Sequence, residues 1–121
     1  MENVLFEFYR GDTYTRDFTV TGWSSPISKV YFTVKEDIEK KNFVLQKTLN
    51  NGITLVDEEN GEQTFNLKIC CIDTDHMKID TDYTFDIEIH SNGVNGETLK
   101  KTIVTGIVRL KGSATRTCNE C

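Results

Sequence analysis

The chain has 121 residues, 37% hydrophobic and 27% charged, with a formal net charge of -5. That length suits one domain able to bury a core without staples, and the acidic balance argues against a nucleic-acid backbone or an anionic membrane as partner. The apolar runs are too short to span a bilayer, and Met1-Glu2-Asn3 opens no basic-then-apolar leader, so cytoplasmic synthesis is expected.

Alternation with period two runs through the chain and predicts half-buried strands. Val4, Phe6 and Phe8 share one face of the first, which leaves Leu5 and Tyr9 facing out. Arg10-Gly11-Asp12 follows and reads as a turn rather than a receptor motif. Gly11 supplies the turn and Asp12 can accept from nearby amides. Phe18 and Val20 mark a second strand, and Gly22 to Pro26, with Trp23 inside it, carries turn chemistry. In "SKVYFTVK", Val30, Phe32 and Val34 face in while Lys29, Thr33 and Lys35 face out. "KEDIEKKN", residues 35–42, has Ile38 as its one apolar residue and no stripe to dock, so it reads as a solvated loop. Asn50-Asn51-Gly52 is a turn, and Asn60-Gly61 is a hairpin signal because a type I′ turn needs positive φ at both central positions.

"QTFNLKICC" turns Phe65, Leu67, Ile69 and Cys71 inward and leaves Cys70 outside. "DTDHMK", residues 73–78, is expected to form one helical turn capped by Asp73 and anchored by Met77. "YTFDIEIH" is the clearest strand: Tyr83, Phe85, Ile87 and Ile89 on one face, Thr84, Asp86, Glu88 and His90 solvated on the other. A longer hairpin loop follows over residues 92–96. In "TIVTGIVRLKG" the core residues are Val104, Val108 and Leu110, with a bulge or kink expected at Gly106. These strands predict an all-β domain over residues 1–115, with a polar, flexible tail over 116–121. Phe32, Phe65, Tyr83, Phe85 and Ile87 should meet in one dry interior between two layers of extended chain.

No catalytic constellation is expected. There is no Gly-x-Ser-x-Gly and no phosphate-cradling glycine loop, and the outward pair Asp86 and Glu88 needs no acid–base role. Asp73, Asp75, Asp80 and Asp82 lack the calcium-loop spacing, and capping and turn roles account for each. Cys118-x-x-Cys121 is half a zinc site without a second knuckle, so no metal and no cofactor are expected. Adjacent Cys70 and Cys71 are not expected to bond each other, and a disulfide framework is not expected in a reducing compartment.

"IDTDYTF" resembles the segment that opens strand F of immunoglobulin domains, where a tyrosine hydroxyl ties a corner to upstream backbone. Phe85 stands where that family has a cysteine. The resemblance implies an immunoglobulin-like antiparallel β-sandwich of about 7–9 strands with an apolar centre in place of the disulfide.

Residues 6–115 also resemble a family of small β-sandwich proteins of tailed bacteriophages and prophages, including the N-terminal domain of phage baseplate upper proteins. The pattern is "F.FYRGDTYTRDFTV", "PISKVYFTVK", "QK…GIT", "DTDHMKIDTDYTFDIEI" and "KTIVTGIVRLKGSAT". This resemblance implies a non-enzymatic virion protein of the tail, baseplate or neck. Its partners would be other phage structural proteins or further copies of itself, with no nucleic acid and no membrane. Leu5, Tyr9, Tyr14, Trp23 and Tyr31 are the candidate docking residues. The alternative is a carbohydrate-binding module for host cell-surface glycan, for which Trp23, Tyr14 and Tyr31 would be the platform, though they do not share one strand.

Overall fold

A computed structural model describes residues 3–21, 27–59, 61–92 and 96–112. Trp23, Asn60, the chain from residue 113 onward and the tail cysteines Cys118 and Cys121 lie outside the described residues. The elements are β1 (Asn3–Tyr9), β2 (Tyr14–Val20), β3 (Ile27–Lys35), β4 (Leu45–Leu49), β5 (Gly52–Glu59), β6 (Glu62–Ile69), α1 (Cys71–Thr74), β7 (Asp82–Asn92) and β8 (Thr98–Lys111).

The all-β expectation is borne out. Hydrogen bonds join the strands into one mixed sheet in the order β1-β8-β7-β3-β4-β5-β6-β2, nearly closed into a barrel. The two separately bonded layers expected from the alternation are therefore linked, and the link is narrow. β4 and β5 share only the pairs Thr48↔Gly52 and Leu49↔Ile53, in parallel. That crossing is made by the Asn50-Asn51-Gly52 turn, where Asn50 (φ 70) and Gly52 (φ 98) both take left-handed backbone. β1 also runs parallel, beside β8, from Asn3↔Thr105 to Tyr9↔Lys111. The two hairpins fall where the turn residues placed them: β5 and β6 pair up to Glu59↔Glu62 around Asn60-Gly61, and β7 and β8 pair up to Asn92↔Thr98.

Alternation builds the core directly. Val30, Phe32 and Val34 of β3 are fully buried, as are Phe65, Leu67 and Ile69 of β6. Phe32, Phe65, Tyr83, Phe85 and Ile87 belong to one buried cluster. Each fully buried side chain of this size contributes roughly 1.5–3 kcal/mol relative to exposure. The ends of the sheet meet through aromatic rings: Tyr14 of β2 stacks on Phe8 of β1 at 4.4 Å and leans on Phe6 at 5.5 Å. The Arg16 guanidinium lies 4.8 Å from the Phe6 ring centre and covers the seam.

Tyr83 lies near the start of β7. Its hydroxyl accepts a 2.8 Å hydrogen bond from the Lys78 amide, five residues upstream. The ring is buried, so the bond satisfies a phenol that water does not reach.

Four expectations are corrected. The helical turn is Cys71–Thr74, and Asp73 is inside it, accepting from the Cys70 amide at 2.7 Å. Extended chain therefore ends at Ile69, alternation stops there, and Cys70 is buried beside Cys71 instead of facing out. In β8 the register shift falls opposite Ile87 and Glu88, not at Gly106. Gly106 instead permits close approach: a Cβ there would run into the Val4 carbonyl and stand 2.7 Å from the Phe85 ring. Finally, His90 is buried rather than solvated. A bulge in β3 between Ile27 and Lys29 pairs with Ser91 and His90, and the imidazole packs on Tyr31 at 5.0 Å and bonds Glu88 at 2.5 Å.

Candidate docking surface

β1 ends the sheet order: among the described residues its backbone pairs as a strand on one side only, with β8, while Tyr14 and Arg16 of β2 pack on its inward rings across the seam. Edges of this kind are templates for pairing with another chain. Its outward residues are Leu5, Glu7 and Tyr9, set opposite Ile107, Arg109 and Lys111 of β8. Leu5 and Tyr9 are each 47% exposed, as the alternation of β1 predicted. Large apolar side chains of this exposure on an edge strand make a surface suited to pairing or packing.

Charge organises the space between them. Arg109 faces Glu7 on one side and Asp82 on the other, because β8 lies between β1 and β7. Its guanidinium donates to both Asp82 oxygens, at 2.6 and 3.0 Å, and to Glu7 Oε2 at 3.4 Å. Lys111 Nζ reaches Glu7 Oε1 at 3.3 Å and lies 6.0 Å from the Tyr9 ring centre. The hydrogen bonds from Arg109 hold the Asp82 carboxyl below its ordinary range, and Asp82 in turn pushes the guanidinium up. Further along β7, partial burial and then the charge of Glu88 push Asp86 up. The surface is thus two apolar side chains framing a paired charge ladder.

This ladder was missed in the sequence. Glu7 and Arg109 stand 102 residues apart. Their outward parity on two strands was readable, but the parallel pairing of β1 with β8 that makes them neighbours was not.

The other candidate residues do not join this surface. Tyr14 turns inward and is half-buried against Phe6 and Phe8. Tyr31 lies on β3, half-buried against His90, and lines a shallow groove with Ser28, Lys29, Val30, Thr48, Leu49 and Asn50. Trp23 lies outside the described residues. Tyr14 and Tyr31 therefore form no common platform. At the seam between β1 and β2, Val4, Phe6, Phe18, Leu67, Ile87 and Val104 line a small apolar cleft of about 140 Å³, rimmed by Arg16 and Asp17.

Arg10-Gly11-Asp12 is the β1–β2 turn. Gly11 has φ 93, and the Asp12 amide donates to the Tyr9 carbonyl at 3.1 Å. Arg10 points back into the protein and donates to the Met77 carbonyl at 2.9 Å, while the Gly11 amide donates to Thr74 Oγ1 at 3.1 Å. The tripeptide ties the turn to the segment after α1. The clustered aspartates disperse in the same way. Asp73 pairs with Lys47 at 2.8 Å, with both side chains largely buried, Asp82 pairs with Arg109, and Asp80 has φ 53 in the turn before β7. Among the described residues no group of three or more His, Cys, Asp or Glu converges to hold a metal.

Cys70 and Cys71 are both disulfide-bonded, against the expectation of reduced thiols. The expectation rested on a compartment inferred from the N-terminus; the local structure instead buries both residues where β6 hands over to α1.

No family model matches the chain, and no curated protein matches it.

Proposed function

We propose that this chain is a non-enzymatic structural module of a tailed-bacteriophage virion, immunoglobulin-like in topology, that docks on other virion proteins through its β1 edge. The carrying observation is the exposure of Leu5 and Tyr9 on a strand that ends the sheet. The resemblance of the sequence pattern to small phage β-sandwich proteins supports the class of partner. The isolated chain would sit in the tail, baseplate or neck after synthesis in the bacterial host.

Several features support the immunoglobulin-like reading. Taken as strands A, B, C, C′, D, E, F and G, the eight strands give A-G-F-C-C′ on one side and B-E-D on the other. Among the described residues the two groups share backbone ladder pairs only between β4 and β5. β7 then takes the place of strand F, and Tyr83 lies near its start with its hydroxyl on upstream backbone. Glu7, Asp82, Arg109 and Lys111 are engaged in cross-strand pairs with one another, which favours a docking role over acid–base chemistry for this group.

Two measurements test this. Immunogold labelling of tailed particles from the encoding bacterium should mark the tail or neck, and particles lacking the chain would refute the virion assignment. Replacing Leu5 and Tyr9 by aspartate should abolish incorporation while leaving the melting temperature close to the parent's. Incorporation at the parental level would remove β1 as the docking edge. A second reading, binding of host glycan, is favoured only by the Tyr31 groove of about 260 Å³, and a glycan array without signal would dismiss it.

A further inference from the structure

β5 has strand neighbours on both sides only at its start. Gly52 and Ile53 pair with β4, and from Thr54 onward, among the described residues, β5 has β6 alone. Every residue from Thr54 to Glu59 is exposed, Leu55 at 44% and Val56 at 54%. β8 carries a second edge of this kind. β1 covers it from Thr105 to Lys111, whereas residues 98–104 have β7 alone among the described residues. Thr98 to Lys101 are exposed, with Leu99 at 40%. We propose that these two edges meet between copies of this chain: β5 of one protomer adds to β8 of the next, beside residues 98–101, in a head-to-tail assembly.

Charge identifies the partner. Asp57, Glu58 and Glu59 make the β5 edge acidic, and Lys100 with Lys101 makes the β8 edge basic. Among the described residues none of these side chains has a salt-bridge partner. The hydrogen bond that Glu58 accepts from Gln63 Nε2, at 3.5 Å, leaves its charge unbalanced. Glu7, Asp82, Arg109 and Lys111, by contrast, neutralise one another within the chain. Two acidic edges repel, as do two basic ones, whereas an acidic edge attracts a basic one. A parallel register that sets Val56 beside Leu99 brings Asp57 beside Lys100 and Glu58 beside Lys101. Antiparallel pairing of the same charges puts Glu59 beside Leu99 and forfeits the apolar contact. The incoming strand then has the direction of β1, which also runs parallel to β8, and lies end to end with it.

The two edges are different surfaces, so the contact is heterologous. A copy that places its β5 on one neighbour keeps its β8 edge for another, and the series closes as a ring or extends as a filament. In strand addition the backbone hydrogen bonds supply affinity and the side chains set the register. Here the side chains are charge pairs at the surface, so salt weakens the association. This inference uses neither Leu5 nor Tyr9 and does not depend on the virion assignment. A Leu5→Asp/Tyr9→Asp protein should assemble as the parent does, which separates this contact from docking through β1.

The experiment is sedimentation velocity on the full chain, over a concentration series at low salt. The mass should rise past that of a dimer with concentration and fall toward the monomer near about 1 M salt, where the Debye length is about 3 Å. Asp57→Lys/Glu58→Lys and Lys100→Glu/Lys101→Glu should each weaken association at least about tenfold, because each sets like charges side by side. All four positions are exposed, so the melting temperatures should stay close to the parent's. An equimolar mixture of the two variants offers only opposite-charge contacts between unlike copies, and assembly should return. A fold lost in either variant could not produce that recovery. A parent that is monomeric at every concentration, a dimer that grows no further, variants that assemble like the parent, or a mixture that stays monomeric would each overturn the proposal.

Discussion

Gly106→Ala measures how tightly β1 and β7 are drawn onto β8. Gly106 pairs with Val4 on one side and Phe85 on the other. An added methyl would meet the Val4 carbonyl and stand 2.7 and 2.9 Å from two carbons of the Phe85 ring. Carbon atoms prefer about 3.5–4.0 Å, so the ring must give by roughly 1 Å. It has little room to do so, because Phe6 lies 4.5 Å and Phe32 5.3 Å from it, centre to centre. Forced overpacking of this kind costs about 1–3 kcal/mol. Alanine also lowers the entropy of the unfolded chain, which offsets about 0.4–1 kcal/mol. The net expectation is a loss of about 1–2 kcal/mol, or roughly 4–8 °C in melting temperature for a domain of this size. Urea unfolding followed by circular dichroism should show a lower midpoint at an unchanged slope. Adding Phe85→Leu should recover part of the loss, with a coupling of at least about 0.5 kcal/mol between the two sites. A Gly106→Ala protein within about 0.5 kcal/mol of the parent would refute the claim that this glycine exists for close approach.

Tyr83→Phe leaves the Lys78 amide without its acceptor and should cost about 1 kcal/mol in denaturant unfolding, with faster hydrogen exchange at that amide. Asp82→Asn tests the ladder by its pH dependence. Arg109 lowers the Asp82 pKa on folding, so the pair stabilises above the ordinary carboxylate range near about pH 3.9 and is lost as acid protonates the folded carboxyl. The variant should be less stable than the parent at neutral pH, the gap should close in acid, and added salt should shrink it. Asp86→Asn should do the opposite: burial raises the Asp86 pKa, so its charge opposes folding at neutral pH and that penalty disappears below about pH 3.9. Thermal melts at pH 7 and in acid, with the variant more stable only at pH 7, would bear this out.

Much of the fold was legible because a strand exposes its pattern locally. Side chains two apart share a face, so Val30, Phe32 and Val34 announced their burial without any knowledge of neighbours. Turns were readable for the same reason, since Gly11 and Gly61 adopt the positive φ that their positions demand. The segment around Tyr83 was legible too, its hydrogen bond spanning only five residues. Of the candidate docking residues, Leu5 and Tyr9 followed from parity alone. Tyr14 did not: its direction depends on the rings of Phe6 and Phe8, which arrive when the two ends of the sheet meet.

What escaped the sequence shares one physical cause, contact between segments far apart in the chain. Local chemistry specified that these residues form extended strands with one greasy face, and where the chain reverses. Only the assembled sheet decided that β1 lies parallel to β8, which builds the Glu7–Arg109–Asp82 ladder and compels glycine at position 106. The same holds for His90, drawn inside by a bulge in a neighbouring strand, and for Cys70, buried where alternation gives way to a helical turn. Periodicity dictates which side of a strand is apolar; which strand becomes its neighbour, and in what register, is settled by the packing of the whole core.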